Sequence, residues 1–133
     1  MFTIQPSTLR RVLWLDAGTG FGMAASHLLG AGPIAQWTGL PEALVALAGA
    51  LSLLAACFMA WVASRPQLPQ PGVRAIVLGN FVWVAASAWL AWGAGLPLTT
   101  VGTAWVLLQG LAVLVLAELE WAGLRAPALR PAV

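Results

Sequence analysis

Residues 41–64 read PEALVALAGALSLLAACFMAWVAS, and after Glu42 no charged residue occurs until Arg65. A bilayer core about 30 Å thick takes roughly 20 helical residues to cross, so this run is expected to span a membrane as a helix. Pro41 suits the first turn of such a helix, where its missing N–H leaves no bond unmade. Three similar stretches surround it: about 12–32 before it, then 73–93 and 98–124 after it. None has a sustained period of two, which argues against a β-barrel.

Whole-chain composition agrees. The 133 residues are 61% hydrophobic and 8% charged, with a mean hydropathy of +0.90. A soluble domain of this size carries about a quarter charged residues. So little charge cannot cover a surface in water, which excludes an ordinary cytosolic or secreted globular enzyme and a disordered tail. The expected fold is all-α: one polytopic transmembrane domain over residues 1–133, with four helices running up-down-up-down.

The connections carry helix-breaking chemistry. Gly30-Ala31-Gly32-Pro33 is expected to end the first helix, and Gly93-Ala94-Gly95-Leu96-Pro97 to turn into the fourth. The segment from Arg65 to Gly72 contains three prolines and is expected to lie outside the membrane as a non-helical link. Ser7 or Thr8 is a candidate cap for the first helix. The two halves, each helix, Gly-Ala-Gly turn and helix, have the outline of a parallel duplication of hairpins, although side-chain identity between them is poor.

Arginine placement sets an orientation. Arg10 and Arg11 precede the first stretch, Arg65 and Arg74 lie between the second and third, and Arg125 and Arg130 follow the fourth. The other two connections contain no arginine. The positive-inside rule therefore makes both termini cytoplasmic, and a protein inserting in both directions is not expected. Trp14, Trp61 and Trp121 fall near the arginine-bearing ends, Trp37, Trp92 and Trp105 near the other face, as an interfacial belt would have them. Arg10-Arg11 faintly resembles a twin-arginine export signal, but Asp16 interrupts the apolar region such a signal needs, and three more spans follow. A cleaved signal is not expected.

With six arginines, no lysine and no basic run, nucleic acid is not an expected partner. The single Cys57 rules out an internal disulfide and a CxxC pair, and no metal site or cofactor is expected. Haem held by His27, the one histidine, would need a second chain. Ser26 cannot face His27, no catalytic triad is readable, and Gly18-Thr19-Gly20-Phe21-Gly22 lacks the spacing of a phosphate loop.

Polar residues within a span point to function or to tight pairing. They are Asp16, His27, Asn80, Gln109, Glu118 and Glu120. Asp16, Asn80 and one of the two glutamates form a candidate proton or cation site toward the cytoplasmic side, where two carboxyls brought together would share a proton. Glu118 and Glu120 are two residues apart and point to nearly opposite sides, so only one can join. Asp16 and His27 share a helix face about 16 Å apart, as do Gln109 and Glu120, and Asn80, Trp83 and Ser87 form a stripe. With His27 and Gln109 above the carboxyls, these residues outline a candidate polar path through the bundle. Structural roles compete with each of these: Asp16 could pair with Arg10 or Arg11, the glutamates with Arg125 or water, and Asn80 could serve as an interhelical clamp.

Gly18, Gly22, Ser26 and Gly30 recur every four residues, and Ala48, Ser52, Ala56, Ala60 and Ser64 form a second run. Both are helix-packing stripes, within the chain or against a partner. Leu13-Trp14-Leu15-Asp16-Ala17, Gly79-Asn80 with Trp83 and Ser87, and Gln109 with Ala117-Glu118-Leu119-Glu120 ahead of Gly123-Leu124-Arg125 together resemble a group of small four-span bacterial inner-membrane proteins. The resemblance implies that location but no activity. Small multidrug exporters, which would have a Glu in the first span, do not match, nor do dual-topology fluoride channels, whose polar and aromatic track is missing here. The leading expectation is a non-enzymatic accessory subunit or homo-oligomer in contact with lipid and with another membrane protein or a second copy. The alternative is a small proton- or cation-coupled transporter or channel using Asp16, Asn80 and Glu118. A cofactor protein acting through His27 comes third.

Overall fold

The computed structural model describes residues 2–129. Among them are five α-helices: α1 Pro6–Leu29, α2 Ala31–Thr38, α3 Glu42–Ala63, α4 Gln70–Trp92 and α5 Thr100–Leu124, followed by a short 3-10 turn at Pro127–Leu129. The chain is all-helical, as its composition implies. Helices α3, α4 and α5 are each long and apolar enough to cross a membrane. Helix α1 has the length, at 24 residues, but its glycines, Thr19, Asp16 and His27 make it less apolar than the other three. The four expected spans thus resolve into three strongly apolar helices and a more polar one packed among them. Arg130 lies outside the described residues.

Several boundaries differ from expectation for local reasons. Gly30 interrupts the helix for one residue only. Its N–H still bonds the Ser26 carbonyl at 2.8 Å and its carbonyl accepts from Ile34 at 3.0 Å, so residues 31–38 continue as α2 rather than as a turn. Pro33 sits in the first turn of α2, where a proline removes no helical bond. Gln5 caps α1 with Pro6 as its first residue, so Ser7 and Thr8 lie inside the helix. Pro41 is the cap of α3 rather than a member of its first turn. Gln70, Pro71 and Gly72, expected in the link, form the opening turn of α4 because proline is tolerated there. Thr99 caps α5, its Oγ1 accepting the Gly102 N–H at 2.9 Å.

The helices pair as two hairpins. Helix α1 lies along α3 and α4 along α5, the hairpins meet through α1 and α5, and α3 and α4 touch far less. In the first hairpin Gly49 lets the backbones close up, since a Cβ there would stand 2.9 Å from the His27 Cβ. At the arginine-bearing end Leu9, Leu13, Val62, Val73 and Val77 are fully buried in one apolar cluster. There the Arg10 guanidinium caps α3, donating to the carbonyls of Ala63, Arg65 (2.6 Å) and Pro66 (3.0 Å). Cationic donors suit the unsatisfied carbonyls of a helix C-terminus. Arg65 also lies over the Trp61 ring at 4.3 Å and Arg125 over Trp121 at 5.4 Å.

At the opposite end the two turns are tied together. Thr99 donates from Oγ1 to the Trp37 carbonyl at 2.6 Å and from its N–H to the Thr38 carbonyl at 3.0 Å. Gly39 takes a left-handed φ of +76° and has the Pro97 carbonyl against the place of a Cβ, a position only glycine fills without strain.

The stripe Gly18, Gly22, Ser26 and Gly30 does not zip the first hairpin. A Cβ at Gly18 or Gly22 would meet nothing within 4 Å, and Ser26 is exposed. The close approach falls instead at Gly20, whose Cβ would stand 3.0 Å from that of Ala56, and at Ala24, which is buried. Of the second run, Ser52 and Ala56 are buried on that seam and Ser64 is exposed.

Candidate functional site

Three polar side chains from three helices meet about two turns inward from the arginine-bearing end. Asp16 of α1 and Asn80 of α4 are buried, and Glu120 of α5 is fully buried. The Asn80 amide nitrogen donates to Asp16 Oδ2 at 2.7 Å and to Glu120 Oε2 at 3.0 Å. One amide NH₂ has two hydrogens, so each carboxyl receives one. The two carboxyls also lie within hydrogen-bonding reach of each other. Glu120 Oε1 is buried without a partner among the described residues. Four carboxyl oxygens therefore share two amide hydrogens, and a carboxyl proton is the group that would supply a third donor.

The glutamate that joins is Glu120. Glu118, the member named in the transport expectation, is exposed on the other side of α5, because two residues along a helix turn the side chain by roughly 200°. Pairing of Asp16 with Arg10 is corrected as well, since that guanidinium is spent on the end of α3.

A second polar group lies one to two turns farther along α4 and about three turns farther along α5. Trp83 Nε1 donates to Gln109 Oε1 at 2.6 Å, and Gln109 Nε2 donates to Ser87 Oγ at 2.8 Å and to the Val106 carbonyl at 2.9 Å. The Ser87 hydroxyl in turn donates to the Trp83 carbonyl at 2.8 Å. His27 stands farther still. Its Nδ1 pairs with the Met23 carbonyl at 3.0 Å and, against the expectation that Ser26 cannot face it, with Ser26 Oγ at 3.2 Å, and its ring stacks on Trp105 with centroids 6.0 Å apart. Five of the six polar residues singled out from sequence thus occupy three levels, and Glu118 lies apart from all of them.

Where α3 and α4 separate, a cleft opens between the hairpins. Its first part, about 380 Å³, has Asp16 and Asn80 in its wall with Phe58, Ile76, Trp83 and Gln109. Its second, about 270 Å³, reaches Leu40, His27 and Trp105. Met23, Leu51, Gly79, Trp83 and Gln109 line both, so the two lie end to end along one seam. On α4 the lining runs from Ala75 to Leu90, about 22 Å at 1.5 Å per residue. Asp16 is the one carboxylate in the lining, and no arginine lines either part.

The capping role of Arg10 and the Thr38–Thr99 tie were not foreseen from sequence. An arginine one turn inside α1 opposite the end of α3 was a signal for the first. Thr99 immediately ahead of a helical run was a cap signal, but nothing in sequence announced its second bond, to Trp37.

Among the described residues no three of His, Cys, Asp and Glu come together in a way that could hold a metal ion. No family profile matches the chain, and no curated protein or solved structure matches it. The fold and the three polar levels define a helical bundle with membrane-spanning character and a lateral cleft.

Proposed function

We propose that the protein is a non-enzymatic, proton-linked transporter of the bacterial inner membrane, with α1 as its fourth span and both termini cytoplasmic. The orientation rests on the arginines, five of which occupy one end of the described bundle, and the location on the sequence resemblance. The observation that carries transport is the continuous cleft, with polar side chains at three levels over most of the thickness of a hydrocarbon core. Asp16, Asn80 and Glu120 are its proton-holding group. An uncompensated pair of buried carboxylates is too costly to persist, and the unpartnered Glu120 Oε1 is where a shared proton completes the hydrogen bonding. Trp83, Gln109 and Ser87 form the middle level and His27 the outer one.

Proteoliposomes containing a pH-sensitive dye and given a potassium diffusion potential through valinomycin test this reading. Wild-type protein is expected to acidify the lumen faster than empty vesicles do. Asp16→Asn and Glu120→Gln should abolish the difference, and Glu118→Gln should leave it intact. Wild-type vesicles that behave like empty ones overturn it.

One observation favours a second reading, an interaction subunit or homo-oligomer: Gly18 and Gly22 lie open on the outer face of α1, where a second helix could approach closely. Native mass spectrometry from lipid nanodiscs would then show a defined oligomer, and a solitary monomer would remove that reading.

A further inference from the structure

We infer that the cleft between the hairpins binds a lipophilic organic cation, with its charge beside Asp16 and its apolar body along α3 and α4. This rests on the transport reading and names the substrate class of that site. Three features of the wall carry it. The first part of the cleft, about 380 Å³, falls within the range of roughly 300–1,000 Å³ typical of small-molecule sites. Its lining is almost wholly apolar, from Leu51, Ala55 and Phe58 on α3 to Ile76 and Trp83 on α4, so a strongly hydrated ion is poorly matched.

The sign of the ligand follows from the charged lining. Asp16 is the one acidic residue in the wall and no arginine lines either part, and the amide of Asn80 bonds one of its carboxyl oxygens, Oδ2. An anion would meet like charge there, and a neutral apolar molecule would gain nothing from the acidic residue in the wall. Phe58 and Trp83 add aromatic surface, which attracts organic cations through the ring face. Glu120 is fully buried and outside the lining, so Asp16 is the carboxyl the ligand meets.

Tetraphenylphosphonium is the probe, measured by equilibrium dialysis against purified protein in nanodiscs, with neutral triphenylphosphine oxide as comparator. Saturable binding of the cation is expected, at least tenfold tighter than that of the neutral compound. Asp16→Asn should weaken it tenfold or more, Asp16→Glu should restore much of it, and Glu118→Gln should leave it unchanged. Ala55→Trp fills the cleft without touching the carboxyls and should also weaken binding at least tenfold, which keeps the test decisive if Asp16→Asn fails to fold. Equal binding of both compounds, or cation binding indifferent to both Asp16→Asn and Ala55→Trp, overturns the inference. Proton movement in the liposome assay without tetraphenylphosphonium binding also overturns it while leaving the proton-linked reading in place. Binding with the expected variant pattern but no proton movement supports the cation site and overturns the transport reading alone.

Discussion

The two hairpins face each other along two edges, and the edges are built differently. On one, α1 and α2 meet α5 at both ends and at the polar junction: Leu9 lies against Gly123, Asp16 is bridged to Glu120 through Asn80, and Gly102 presses on the Thr38 backbone. On the other, α3 and α4 meet at the arginine-bearing end, where Gly72 packs on Val62, and then part around the cleft. Asp16 belongs to both edges, one carboxyl oxygen bonded to Asn80 and the residue itself part of the cleft lining. The difference teaches that in an apolar solvent small residues and polar bonds close a seam, because burial of hydrocarbon supplies little drive there. On the cleft edge the small residues, Ala55 of α3 and Gly79 of α4 among them, line the opening instead, and a Cβ at Gly79 would meet nothing within 4 Å.

If that account holds, the closed edge is sensitive to any added bulk. A Cβ at Gly102 would lie 1.9 Å from the Thr38 carbonyl oxygen, a backbone atom held by the Thr99 N–H. Gly102→Ala is therefore expected to destabilise the bundle by about 2–3 kcal/mol, read by unfolding in mixed micelles or by steric trapping. Ala55→Trp on the open edge should change stability by less than about 0.5 kcal/mol, as surface substitutions do. Equal losses at the two sites would erase the distinction between the edges.

The polar junction comes next in size. Asn80→Leu removes both amide hydrogens from a pair of carboxyls that have no other donor among the described residues. A loss of about 2 kcal/mol follows from leaving charged-group hydrogen bonds unmade. Asn80→Asp should be worse, since it replaces the donor by a third carboxyl. Recovery of wild-type stability in the triple variant Asp16→Leu, Asn80→Leu, Glu120→Leu would show that the junction serves specificity or function rather than stability.

Much of this was legible in the sequence, and the parts that were not share a cause. Hydropathy and arginine spacing set the helices and their alternation, and Asp16 and Asn80 announced themselves as polar residues at matching depth. Which glutamate joins them depends on the rotation of α5 about its axis. That rotation is fixed by Gly102 on Thr38 and Gly123 on Leu9, contacts between residues far apart in the chain. The four-residue period of Gly18, Gly22 and Ser26 was legible too, but period gives a face and not what the face meets. The packing face of α1 is turned away from it and carries Ala17, Gly20, Ala24 and His27. Helix ends shifted by a few residues because proline and glycine are compatible with a first turn or a single-residue break as well as with a loop.

A smaller effect tests the middle polar level. Trp83→Phe keeps the ring in the cleft wall and removes the bond from Nε1 to Gln109. Interhelical hydrogen bonds within membranes contribute about 0.6 kcal/mol on average, so a loss near that value is expected. A loss above about 2 kcal/mol would mean that Gln109 and Ser87 depend on this bond for their own geometry, and that the open edge is held by polar contacts as the closed one is.

The smallest effect of all is expected at Gly18, in a comparison of two faces of one helix. Gly18 and Gly20 are two residues apart in α1, with the same propensity and nearly the same depth. An added Cβ at Gly18 meets open space, whereas at Gly20 it stands 3.0 Å from Ala56 Cβ on α3. Gly18→Ala should leave stability within about 0.5 kcal/mol of wild type, or raise it slightly through helix propensity. Gly20→Ala should lower it by about 1 kcal/mol, at the low end of overpacking. If Gly18→Ala instead lowers stability, and does so more at high protein-to-lipid ratio, the outer face of α1 is in contact with a second molecule. The bundle would then have a third closed edge, made between chains.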